Sequence, residues 1–181
     1  MKTLIIYSSQ TGFTKRYTEW LAEKLCAETM TIKEAHKKND SYFEPFNAII
    51  YGGWVAVEKI HKADWFIKRI SKWQGKKLAI FGVGASPITY SGVEGLLKRA
   101  LNDEQRKYVK AFYCEGGIDY SKMSMGSKVL MKTFVAMLKG KKNKTPDEEA
   151  MFEHISKSCD CSDPKYIEPI VDYINSPAET A

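Results

Sequence analysis

The chain has 181 residues, 44% of them hydrophobic and 28% charged, with a formal net charge of +6. This balance describes one soluble globular domain with room for a full α/β core, and it excludes a disordered chain. The apolar runs fall short of the roughly 20 residues a membrane span needs, and Met1-Lys2-Thr3 opens without a leader-like apolar region, so a cytoplasmic protein is expected.

The first predicted element is a buried strand over residues 4–7, Leu4-Ile5-Ile6-Tyr7, a continuous apolar run of the kind found in parallel sheets. A helix follows from near Thr14, because Tyr17, Trp20, Leu21 and Leu25 share one helical face. Between them lies Ser8-Ser9-Gln10-Thr11-Gly12-Phe13-Thr14. A loop placed between strand and helix offers free backbone N–H groups and the positive helix end, both of which favour an anion. Ser8, Ser9, Thr11 and Thr14 add hydroxyl donors and no cation, which suits a phosphate monoester held by neutral hydrogen bonds. The Gly-Lys-Ser/Thr ending of a nucleoside triphosphate loop is missing. An ordinary βα turn has a similar composition.

Further along, residues 29–33 read as a short edge strand, and 48–51, 78–81 and 109–114 as three more strands. Phe66, Ile70 and Trp73 share a helical face, as do Val93, Leu96, Leu97, Ala100 and Leu101. Strands alternating with helices predict a parallel sheet covered on both sides, in a single domain over 1–176 with a short tail at 177–181. Cys26 and Cys114 fall in apolar segments and read as core residues of a reducing compartment. Cys159-Asp160-Cys161 has no second thiol pair or histidine cluster, so no metal is expected; His154, five residues before Cys159, leaves a surface metal or redox pair as the alternative.

The run Ser9-Gln10-Thr11-Gly12-Phe13-Thr14 fits the pattern Ser/Thr-x-Thr-Gly-x-Thr after an N-terminal strand, and it resembles the phosphate loop of flavodoxins. The resemblance implies FMN as cofactor, with Ser9, Gln10, Thr11, Gly12, Phe13 and Thr14 around its phosphate. It also implies a flavodoxin-like three-layer sandwich: a five-stranded parallel sheet of order 2-1-3-4-5, helices on both faces and the ligand beyond the carboxyl ends of the strands. Three loops then meet there. In the second, Gly52-Gly53-Trp54-Val55-Ala56-Val57, the glycines permit close approach of a flat ring, and Trp54 is either a flavin-stacking or a core residue. Gly53, Trp54 and Val55 are its expected flavin contacts. In the third, spanning 82–92, Gly84, Ala85, Ser86 and Tyr90 are expected around the pyrimidine edge. No side chain is assigned as catalytic acid or base, and none of His36, His61 and His154 falls in these loops.

The C-terminal third carries Gly116-Gly117-Ile118-Asp119-Tyr120-Ser121-Lys122-Met123, a helix pattern over 125–138, a basic turn and a further helix opening on Asp147-Glu148-Glu149. Residues 164–174 read as the last helix. Residues 122–144 hold seven lysines and no Asp or Glu, more than the whole net charge. This region resembles the basic helical insertion of a flavodoxin-like oxidoreductase subgroup that includes the bacterial quinone-dependent protoporphyrinogen dehydrogenases. The resemblance implies an FMN-dependent oxidoreductase acting on a quinone or small-molecule acceptor, with porphyrinogen as one substrate. A one-electron carrier between protein partners is the alternative. The lysine segment reads as a solvated face, as a contact for an anionic membrane surface or lipid quinone, or as a steering patch for an acidic protein or porphyrin carboxylates. It lacks the interleaved aromatics and motif of a nucleic-acid binder.

Overall fold

The computed structural model describes residues 1–56 and 59–177. Val57 of the second loop and residues 178–181 of the tail lie outside the described residues. In chain order the strands are β1 (Thr3–Ser8), β2 (Glu28–Thr31), β3 (Ala48–Ala56), β4 (Lys59–Ile60), β5 (Lys77–Gly84), β6 (Val109–Glu115), β7 (Gly117–Ile118) and β8 (Cys159–Asp160). The helices are α1 (Phe13–Leu25), α2 (Ile32–Ala35), α3 (Ala63–Ile67), α4 (Ser91–Ala100), α5 (Asp103–Arg106), α6 (Met125–Gly140), α7 (Pro146–Ile155) and α8 (Glu168–Asn175). The main sheet runs β2-β1-β3-β5-β6, all parallel, with β4 added antiparallel to the end of β3. The order is the flavodoxin-like one expected from the sequence.

Alternation along each central strand builds the layers. Leu4, Ile6, Ile49, Tyr51, Leu78 and Ile80 point to one face, where α2, α3 and the short turns Asp40–Phe43 and Ile70–Trp73 supply Ile32, Phe43, Phe66 and Trp73. Ile5, Ile50, Ala79 and Phe81 point to the other, against Tyr17 and Leu21 of α1 and Ile170 and Ile174 of α8. Burying side chains on both faces is why these strands read as continuous apolar runs.

Four expectations need correction. The edge strand ends at Thr31, whose hydroxyl accepts from Glu34 N and starts α2, so Ile32 and Lys33 are helical. The run from Phe66 to Trp73 is split into α3 and a separate single turn. Cys26 is exposed: it ends α1 in a left-handed conformation with φ 49°, whereas Cys114 is fully buried. Finally, β3 continues through Gly52, Gly53, Trp54, Val55 and Ala56, which read as loop in the sequence.

The C-terminal region forms a small core of its own. Ile118, Leu138, Met151 and Ile155 are buried together, with Tyr120, Met131, Val135 and Phe152 packed around them. This α6–α7 hairpin is joined to the sheet by the two-residue antiparallel ladder of β7 and β8. Among the described residues no helix is long and apolar enough to cross a membrane.

Candidate functional site

The carboxyl ends of β1, β3 and β5 lie side by side, with Ser8 opposite Gly53 and Gly53 opposite Gly82. The chain leaves β1 there and turns into α1 at Gly12, whose φ of +104° is a conformation glycine adopts at low cost. A Cβ at Gly12 would meet nothing within 4 Å, so the backbone angle alone demands the glycine. Ser9 Oγ accepts from Gly12 N at 3.2 Å and fixes the turn. The amide of Gln10 donates to Ser124 Oγ at 3.2 Å, tying the loop to the residue that caps α6.

The start of α1 is left open by the protein's own side chains. Gly12 provides no side-chain cap, and the first turn holds no acid. The N–H groups of a first turn have no partner within their helix. Beside them Thr14 is 1% exposed, and its Oγ1 is buried without a hydrogen-bond partner. An unpaired buried hydroxyl costs about 1–3 kcal/mol, so an acceptor at this point would recover that cost. The hydroxyl, the positive helix end and a first turn without an acid fit a phosphate group.

Thr11, Gly12 and Phe13 open onto a cleft of about 500 Å³ whose other wall is Arg16, Ile118, Asp119, Ser121, Lys122, Ser158, Cys159 and Asp160. The sequence reading missed that wall. Arg16 lies one turn into α1, but the other residues arrive only through the β7–β8 pairing, which joins segments some forty positions apart. The cations are already partnered. Arg16 reaches Asp160 and Ser162, and Lys122 pairs with Asp119 at 3.0 Å. Hydrogen bonds from Ser121 and then Lys122 hold the Asp119 carboxyl down at about 2.

The residues expected around the flavin ring do not line this cleft. Trp54 stacks on His61 with ring centroids 4.4 Å apart and an interplanar angle of 20°. Burial, then Lys62, pushes that imidazole below its ordinary value. Gly52 and Gly53 are glycines because other protein groups occupy the space of a Cβ: the Phe81 ring at Gly52, Ile60 and the His61 carbonyl at Gly53. Val55 pairs with Ile60 in the hairpin. Gly84 lies beneath the Tyr113 ring, whose hydroxyl donates to Ser86 O at 2.7 Å. Ser86 Oγ reaches Met151 Sδ at 3.7 Å, and Ala85 and Tyr90 pack on the α6–α7 core. The structure thus gathers all three loops at one sheet end, with the third serving as the seat of the helical hairpin.

The flavodoxin domain model matches residues 4–145. Among curated proteins none matches this chain. Among solved structures, the chain is similar to a WrbA-like flavodoxin from Agrobacterium tumefaciens (20% identity, 84% of this chain and 98% of that one, TM-score 0.47). It is also similar to flavodoxin 2 from Bacillus cereus (14%, 86% and 96%, TM-score 0.45). A third is a flavoprotein from Lactobacillus acidophilus in complex with FMN (15%, 63% and 91%, TM-score 0.43).

Proposed function

Because the chain belongs to the flavodoxin-domain family, we propose that it binds FMN at the start of α1 and acts as an FMN-dependent oxidoreductase. The observation that carries this reading is the open helix start, with Gly12 left-handed and Thr14 Oγ1 buried and unpartnered. FMN would supply the electron transfer. The protein's part is to hold the cofactor: Thr14 Oγ1 and the first-turn N–H groups donate to its phosphate, Thr11 adds a hydroxyl from the cleft side, and Ser9 and Gln10 keep the loop in shape. Gly53, Trp54, Val55, Gly84, Ala85, Ser86 and Tyr90 are the proposed ring-side neighbours.

Titrating purified protein with FMN tests the reading. Saturable uptake is expected, and Thr11→Ala combined with Thr14→Ala should weaken it by roughly 3–6 kcal/mol, since bonds to charged groups contribute about 1.5–3 each. Protein that takes up no FMN, or affinity unchanged in the double variant, would refute the placement.

The surface of α6 favours a lipid-side acceptor over a soluble partner protein. Met125, Val129, Leu130, Phe134 and Met137 are exposed along it, with Met125 75% exposed, and Lys128, Lys132 and Lys139 lie on the same helix. An apolar stripe edged by lysines suits an anionic membrane surface, where a quinone would be met. Quinone-linked turnover, with porphyrinogen as the reductant to assay first, is the finer activity proposed. Sedimentation with anionic but not neutral vesicles would support it; absent turnover with a stable one-electron-reduced flavin would favour the carrier.

A further inference from the structure

His154, Cys159 and Cys161 take no part in the flavin reading. His154 lies in the last turn of α7. Five residues later β8 pairs with β7, Ile118 opposite Cys159, and Cys161 N donates to Gly116 O at 2.8 Å to prolong the contact. Side chains alternate along extended chain, so the two thiols share a side while Asp160 between them turns to Arg16. One ligating atom from each of His154, Cys159 and Cys161 lies within 4.8 Å of the others, and all three residues are part-buried. His154 Nε2 is itself buried without a hydrogen-bond partner. The sequence expectation of no metal rested on the lack of a second thiol pair or a histidine cluster. The turn after α7 brings the needed imidazole to the thiols.

We propose that His154, Cys159 and Cys161 bind one thiophilic d10 cation, zinc in the first instance, through two thiolates and an imidazole nitrogen. Soft thiolates with imidazole are the donor set that zinc and copper(I) prefer. Tetrahedral zinc with bonds of about 2.3 Å to sulfur and 2.0–2.1 Å to nitrogen holds its ligand atoms roughly 3.5–3.8 Å apart, so the cluster need close by only about 1 Å. Binding forms two Zn–S bonds and one Zn–N bond and releases the two thiol protons to solvent. Two thiolates cancel the charge of the dication, which suits a part-buried place. Three ligands leave a fourth position for water.

A disulfide fits less well. Residues two apart in a strand sit about 6.4–6.8 Å apart, at the outer limit for a disulfide, and the bond would leave His154 Nε2 unpartnered. The cation would clamp the end of α7 to β8, and with it Cys159 and Asp160 in the wall of the cleft beside Thr11 and Gly12. The proposal is independent of FMN.

The test uses the full chain, reduced and freed of metal by chelation, then titrated with Zn²⁺ against a chromophoric chelator. One equivalent should bind per chain, and Co²⁺ in its place should show thiolate-to-metal absorption. Cys159→Ser, Cys161→Ser and His154→Gln should each weaken zinc by more than about 100-fold, beyond what outer ligand partners cost, while exposed Cys26→Ser keeps it. Cooperative thermal unfolding of each variant checks that the fold is retained. Zinc bound no better by the parent than by the Cys159→Ser/Cys161→Ser double variant, a cobalt complex without thiolate absorption, or equal loss in Cys26→Ser would overturn the proposal.

Discussion

The starts of α1 and α7 face one physical problem and meet it in opposite ways. Each presents unpaired N–H groups and the positive end of a helix dipole. At α7 the protein closes the end itself. Thr145 Oγ1 accepts from Glu148 N, Glu148 reaches back to Thr145 N, Pro146 needs no N–H partner, and Asp147, Glu148 and Glu149 complement the dipole. Lys141 adds a bond to the Glu148 carboxylate at 2.6 Å. At α1 Ser9 Oγ takes only the N–H of Gly12 itself, and the first turn stays open: the cap is glycine, no acid lies in that turn and a buried hydroxyl has no partner. Leaving a helix start open costs stability, and the difference leaves α1 as the end that the proposed FMN phosphate would complete.

The contrast can be erased by giving α1 an acid. Thr11→Asp puts a carboxylate beside the open end, and FMN affinity should fall more than about 100-fold from a lost bond and added repulsion. Titration against the parent measures it, and unchanged affinity would mean the phosphate lies elsewhere. Thr14→Val separates folding from binding. Removing an unpaired buried hydroxyl should stabilise the ligand-free chain by about 1 kcal/mol while weakening FMN roughly tenfold to a hundredfold. Denaturant melts with and without FMN read both, and a loss of stability in the free chain would show that the hydroxyl has an unseen partner. Thr145→Ala should do the reverse, costing about 1 kcal/mol in the same melts and leaving FMN affinity alone.

Acid gives the mildest test. Bonds from Lys141, then Thr145, hold the Glu148 carboxyl below its ordinary 4.5. A carboxyl depressed in the folded state contributes stability that is present above the ordinary value and lost as pH falls through the folded one. Amide-exchange protection at α7, taken relative to intrinsic exchange at the same pH, should therefore fall below about pH 4.5, and at α1 it should not, because its first turn has no carboxylate to lose.

Much of this was legible in the sequence, and the reasons are specific. The run Leu4-Ile5-Ile6-Tyr7 and the face of Tyr17, Leu21 and Leu25 announced β1 and α1 because both are buried by local periodicity. Asp147, Glu148 and Glu149 announced α7, although Thr145 and Pro146, read as the end of a basic turn, are its cap and first residue. Gly52 and Gly53 misled, since glycine reads as loop, whereas here it makes room for Phe81, Ile60 and a carbonyl that only the folded sheet brings near. The far wall of the cleft and the partnership of His154 with Cys159 and Cys161 depend on the β7–β8 ladder, a contact of two residues with no periodic signature.

The small core of the α6–α7 hairpin has a consequence for motion. Among the described residues only Ile118, Leu138, Met151 and Ile155 are buried in it, against thirteen buried side chains in the layer beneath α1 and α8. Units with little apolar burial open at lower free energy than the body they rest on. Because Ala85 and Tyr90 are seated on that unit, the end of β5 borders a part of the molecule that opens at lower free energy than the sheet, and exchange of the proposed flavin there would be set by the hairpin rather than by the sheet.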